Sequence, residues 1–123
     1  MKKYLLFLLL VFAIISCGLK YEAKISIKKF LSENLVKHYS SLSIMKIDTT
    51  AYVTDSMLNV MNKTSLAGGD LKKNTRFASK GLRDKLLFVN VRYRQKLNGA
   101  YEIKRKTFYL SMDGKNIVGI KDN

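Results

Sequence analysis

Few residues in this chain could do chemistry, and they sit poorly for acting together. Among 123 residues there is one histidine, His38, and one cysteine, Cys17. His38 falls where the pattern reads as helix, and a lone histidine in such a place is far more often structural than catalytic. Asp48 and Asp55 make a carboxylate pair by count only, because neither has a basic or metal-ligating partner at a telling distance. Ala67-Gly68-Gly69-Asp70 lacks the Gly-Lys-Ser/Thr ending with which a phosphate loop holds its nucleotide. One cysteine permits no intramolecular disulfide and no cysteine-based zinc cluster. The expectation is a protein that is not an enzyme, with no catalytic residue, no metal and no cofactor.

Charge is the more informative property. Lys and Arg number 23 against 9 Asp and Glu, a formal net charge of +14. Such a balance attracts polyanions: lipid headgroups, acidic polysaccharide, acidic proteins or nucleic acid. Between Lys72 and Lys106 there are 12 basic residues and 2 acids, Asp84 and Glu102.

The C-terminal third gives part of this charge a place. Leu86 to Lys96 reads as a strand, and Asn98-Gly99 is the strongest short hairpin signal, since a type I′ turn needs positive φ at both central residues. Ala100 to Met112 is the return strand, Asp113-Gly114 a second such turn, and Lys115 to Lys121 a third strand. Placing Asn98-Gly99 in the loop sets Leu97 opposite Ala100, Arg92 opposite Arg105, Val89 opposite Phe108 and Leu87 opposite Leu110. The second turn sets Leu110 opposite Ile117 and Tyr109 opposite Val118. One face then collects Leu87, Val89, Val91, Phe108, Leu110 and Ile117, the core face for a helix. The other holds Phe88, Tyr109, Val118 and Ile120 at one end, and Arg92, Arg94, Lys96, Arg105, Tyr101 and Ile103 toward the tip. Like charges directly opposed weaken a sheet. Such a conflict is either solvated and tolerated or relieved by a bound anion, so these basic residues with Tyr101 form the candidate anion or partner site.

The thiol of Cys17 has a different setting. Lys2 and Lys3 precede an apolar run from Tyr4 to Ile15, followed by Ile14-Ile15-Ser16-Cys17-Gly18. A membrane-spanning helix needs roughly 20 apolar residues, more than this run has. An ordinary export signal ends in small-x-small, which Ile14 violates. The stretch resembles the lipobox of bacterial lipoproteins: aliphatic, variable, small, cysteine. The resemblance implies that the Cys17 thiol accepts a diacylglyceryl group as a thioether, that cleavage before it removes residues 1–16, and that the freed amine is acylated as well. Residues 17–24 are then a lipidated tether. Removing Lys2 and Lys3 leaves 23 − 2 = 21 basic residues against 9 acidic, or +12, so the charge belongs to the exported part.

Between anchor and hairpin, Ile27, Phe30, Leu31, Leu35 and Leu42 recur at helical spacing, which predicts an amphipathic helix from about Ala23 to Tyr39. "SIMKIDTTAYVT" alternates Met45, Ile47, Ala51 and Val53 with Lys46, Asp48 and Tyr52, a strand pattern. "DSMLNVMNK" reads as a short helix capped by Thr54 or Asp55. Thr64 to Lys85, with Gly68, Gly69 and Gly81, reads as a long loop or poorly formed helix.

Three stretches, "IKKFLSENL", "YSSLSIMKIDTTAYVT" and "VRYRQKLNGAYEIKRKTFYLSMDGKNIVGI", resemble a group of small lipoproteins of the Bacteroides lineage. The resemblance implies export and a small α+β domain of the cystatin-like or NTF2-like kind, a helix on a curved meander, but no activity and no functional residues to carry over. The expected architecture is α+β, with an N-terminal amphipathic helix packed on an antiparallel meander in a single domain over 25–123. The expected function is a membrane-tethered, non-enzymatic binding or structural module of the bacterial cell envelope, lipid-anchored in the outer membrane, whose basic sheet face meets anionic lipid, acidic polysaccharide or an acidic envelope protein. Export argues against nucleic acid. The alternative is a small-ligand-binding or inhibitory domain using the concave side of the meander. A pocket lined by Asp48, His38 and tyrosines would favour that alternative, and an exposed arginine cluster on a flat sheet the first reading.

Overall fold

The computed structural model describes residues 2–81 and 85–123, with side chains described from Gly18 onward apart from residues 82–84. The apolar leader and thiol behind the Cys17 reading, and Arg83 and Asp84 of the basic stretch, thus lie outside the described side chains. In chain order the elements are α1 (Lys2–Asn34), β1 (Tyr39–Thr50), α2 (Asp55–Ala67), β2 (Leu86–Leu97), β3 (Ala100–Leu110) and β4 (Ile117–Asp122). The strands form one antiparallel sheet in the order β1-β2-β3-β4. The fold is α+β, helix first and meander after.

α1 packs on one face of the sheet through Leu19, Ala23, Ile27, Phe30 and Leu31, with Leu35 just past its end. Their spacing gives one apolar stripe on a helix. Against it lie Leu87, Val89, Val91 and Tyr93 of β2, Phe108 and Leu110 of β3, and Ile117 and Ile120 of β4. Ile27, Val89, Phe108 and Leu110 are fully buried, and side chains of this size each contribute about 1.5–3 kcal/mol by leaving water. A second, smaller core of Val53, Leu58, Leu86 and Val118 forms where α2 crosses the other face. Every described core residue lies between Leu19 and Ile120.

The helix ends earlier than the periodicity suggests. Val36 N–H donates to the Asp70 carbonyl at 3.0 Å and Lys72 N–H to the Asn34 carbonyl at 2.8 Å, so a bridge to the segment after α2 draws the chain out of the helix. His38 is therefore outside α1, and Tyr39 opens β1. The helix also starts before the expected tether ends. Residues 17–24 belong to α1, Ala23 is fully buried, and Ser26 Oγ donates to the Gly114 carbonyl at 2.6 Å. A Cβ at Gly114 would stand 3.2 Å from the Ala23 nitrogen, so the β3–β4 turn sits directly against the helix. Among the described side chains, packing against the sheet starts at Leu19, within the stretch expected to be a tether.

β1 carries irregularities between Ser40 and Ser43 and between Ile44 and Lys46. An extra residue in a strand reverses its side-chain parity. Ile44 and Ile47 therefore both reach the main core, and Met45, expected inside, is 58% exposed. α2 is capped by Thr54, whose Oγ1 accepts from Met57 N–H at 3.2 Å, and it runs on to Ala67, past the Thr64 at which the loop was expected to begin.

The β2–β3 register is as the turn chemistry required, with Arg92 opposite Arg105, Val89 opposite Phe108 and Leu97 opposite Ala100. Asn98 and Gly99 have φ of 52° and 85°. The second turn differs, since Gly114 alone has positive φ and Ser111 N–H closes a wider loop on the Asn116 carbonyl. Leu110 still faces Ile117, but an irregularity then places Gly119, not Val118, opposite Tyr109. The shift turns Ile120 into the main core, away from the face where simple alternation puts it.

Candidate anion-binding face

β2 and β3 lay out the site by alternation alone. Tyr93 and Gln95 point inward and are buried, while Arg92, Arg94 and Lys96 between them are exposed. On β3, Tyr101, Ile103 and Arg105 share that outer face, and Lys106 turns inward. Leu97 and Ala100 close the two-residue turn as a hydrogen-bonded pair, which makes Arg92 and Arg105 a non-hydrogen-bonded pair. Their Cα atoms are then about 4.5 Å apart, the closer of the two antiparallel spacings. Arg94 stands opposite Ile103 and Lys96 opposite Tyr101. The Arg94 guanidinium carbon lies 5.5 Å from the centre of the Tyr101 ring and Lys96 Nζ 6.0 Å, within range of cation–π attraction. The five residues singled out in the sequence thus come together on one open surface.

β1 completes it. Ser43 pairs with Arg92 and Ser40 with Arg94, and the irregularity between the two serines includes Ser41 at φ 55°. Ser41, Ser43, Arg92, Arg94 and Ile103 edge an open hollow of about 290 Å³. The face therefore presents guanidinium groups, hydroxyls and one aromatic ring.

No carboxylate lies within 4.0 Å of Arg92, Arg94, Lys96 or Arg105 among the described residues. The acids at this end of the molecule are engaged on the inner face. Lys106, 5% exposed, donates to Asp70 at 3.2 Å and to Asp122. Lys104 Nζ lies 3.7 Å from Glu102 and 4.0 Å from Asp70. Beside them the Tyr93 hydroxyl is buried and has no hydrogen-bond partner among the described residues. Burial first, then the Asp70 and Asp122 carboxylates, push its pKa far above the ordinary 10. Burial also raises that of Tyr109. The space edged by Leu35, Ser65, Asp70, Tyr93, Lys106 and Asp122 is too small for a water molecule. The sequence reading missed this cluster, although the parity that turns Arg105 outward turns Lys104 and Lys106 inward, and an inward lysine needs a carboxylate.

His38 and Asp48 do not meet. His38 edges an open groove of about 970 Å³ with Lys28, Lys37, Lys72 and Tyr39 over Leu31, Leu35 and Leu42. Asp48 stands opposite Phe88, ten residues along β1, roughly 30 Å away at strand rise, and its Oδ1 accepts from Thr49 N–H at 2.8 Å. Asp55 is in the first turn of α2. Among the described residues no three of His, Cys, Asp and Glu gather as a metal would require, and no helix is long and apolar enough to cross a membrane.

The chain matches no protein-family model, no curated protein and no solved structure. Its reading rests on its own residues and their placement.

Proposed function

We propose that the protein is a lipid-anchored, non-enzymatic binding module of the bacterial cell envelope, which holds anionic partners on its outer sheet face. Cys17, in its lipobox-like setting, is the anchor, and two or three acyl chains on it hold firmly where one gives marginal binding. The observation that carries the binding role is Arg92 directly opposite Arg105, with Arg94 and Lys96 on the same face and no acid within 4.0 Å of them among the described residues. The molecule's own carboxylates are near enough in sequence to relieve this repulsion, yet Asp70, Glu102 and Asp122 serve inward lysines instead. A surface needing solubility alone has no reason to keep cations opposed. Serine hydroxyls and an aromatic ring beside guanidinium groups suit carboxylate- or phosphate-bearing polymers, acidic polysaccharide first among them. The reading based on a concave ligand pocket has less support, because α1 covers the inner side of the sheet from Leu19 to Leu31.

The test is binding of the processed chain to a polyuronate across a salt series. Screening over ~10 Å at 0.1 M predicts steep weakening, on the order of a thousandfold between 50 and 500 mM for about four neutralised cations. Binding that ignores salt would contradict the reading.

A further inference from the structure

α1 gives one side to the sheet, and among the described residues the packing makes no use of the other. At 100° per residue, the direction away from Ala23, Ile27 and Phe30 is taken by Tyr21, Ile25 and Lys28. Tyr21 is 66% exposed and Ile25 44%. Lys24 and Lys28 edge one flank of this stripe and Lys29 lies on the other, with Glu22 the one acid from Gly18 to Ser32. An apolar centre edged by lysines is the pattern of a helix face resting in a lipid interface, the rings and aliphatic stems dipping in and the ammonium groups meeting headgroup phosphates. Position 17 is one turn before Tyr21 on the same helix, so acyl chains at Cys17 would enter the bilayer where the stripe begins. Because the body is packed from Leu19 onward, no slack separates anchor and domain.

We propose that Tyr21 and Ile25, with Lys24 and Lys28, form a second membrane contact that rests the helix layer on an anionic bilayer and turns the open sheet face away from it. This rests on the anchoring part of the reading above. It also narrows the other part, for Arg92, Arg94, Lys96 and Arg105 lie across the sheet from α1. Their partner then approaches from the aqueous side and is not the headgroup layer of the protein's own membrane.

The experiment uses the chain from Cys17 to Asn123, which contains every described core residue. Its single thiol is coupled to maleimide-bearing lipid in vesicles, either of phosphatidylcholine alone or with phosphatidylglycerol. A membrane-impermeant amine-acylating reagent is applied and labelling is read by peptide mass spectrometry. On anionic vesicles Lys24 and Lys28 are expected to label severalfold more slowly than in the uncoupled protein, with Lys96 unchanged. Tyr21→Ser with Ile25→Ser, both at exposed positions, should abolish the protection. Free-solution rates at Lys24 and Lys28 on anionic vesicles would overturn the proposal. So would protection of Lys96 instead, or protection of the same lysines without vesicles as protein concentration rises, the mark of a second copy on the stripe. Chemical coupling makes the result independent of cellular processing at Cys17, and polyuronate binding by the uncoupled protein tests the sheet face separately.

Discussion

At the scale of single residues, Tyr93 is the most unusual group. Its hydroxyl is buried, without a hydrogen-bond partner among the described residues, beside two carboxylates. The folded protein holds the phenolic proton through a range where the unfolded chain loses it. The folded pKa is the raised one, so this group's contribution is complete below about pH 10 and is lost as pH rises toward the folded value, by up to ~1.4 kcal/mol per unit. Tyr93→Phe should remove most of that alkaline slope, leaving what Tyr109 adds in the same direction. At neutral pH it should cost nothing or gain about 1 kcal/mol, because an unsatisfied buried hydroxyl goes with it. Urea unfolding at pH 8 and pH 11 measures both; an equal alkaline loss in the variant would show that the phenol is not its source. Cys17 is the other residue with a sharp test. Cys17→Ser cannot form a thioether, so the variant should leave the membrane fraction or remain unprocessed. Cleavage at the same site with unchanged fractionation would contradict the anchor.

At the scale of elements, the sheet's two edges are handled differently. α2 clasps β4: Asn62 Nδ2 donates to the Val118 carbonyl at 3.2 Å, Asn62 Oδ1 accepts from Ile120 N–H at 3.1 Å, and Ser65 Oγ donates to the Ile120 carbonyl at 3.0 Å. One side chain here does what a neighbouring strand would do, which keeps the edge from pairing with another chain. Asn62→Ala should cost about 2 kcal/mol, two hydrogen bonds at roughly 1 kcal/mol each, and speed amide exchange at Ile120. Exchange unchanged there would mean that the clasp is not what protects the edge. None of this was legible beforehand, because α2's polar face gives no sign of which strand it meets. The β2–β3 hairpin was legible to the residue, since Asn98-Gly99 fixes turn and register together and parity then follows. The end of α1 was not, because it is set by a bridge to Asp70–Lys72 across the chain. Met45 and Ile120 were misplaced for one shared reason: an irregular residue in β1 or β4 reverses parity, and nothing in local sequence marks it.

At the scale of the whole molecule, charge is sorted between the two faces of one sheet. Lys104 and Lys106 face inward and take up Asp70, Glu102 and Asp122, and the outward cations are left opposed. The outward half of this arrangement could be read from the hairpin register; the inward half depended on where Asp70 and Asp122 arrive in space. The proposed function has the opposed arginines kept for an anionic partner. Arg92→Gln with Arg105→Gln tests it most directly, through thermal unfolding of the processed protein and its binding to a polyuronate at low salt. Relief of a like-charge pair is worth some tenths of a kcal/mol, so the double variant should melt slightly higher while binding falls markedly. A higher melting temperature with binding unchanged would reduce the face to a solvated surface and contradict the account.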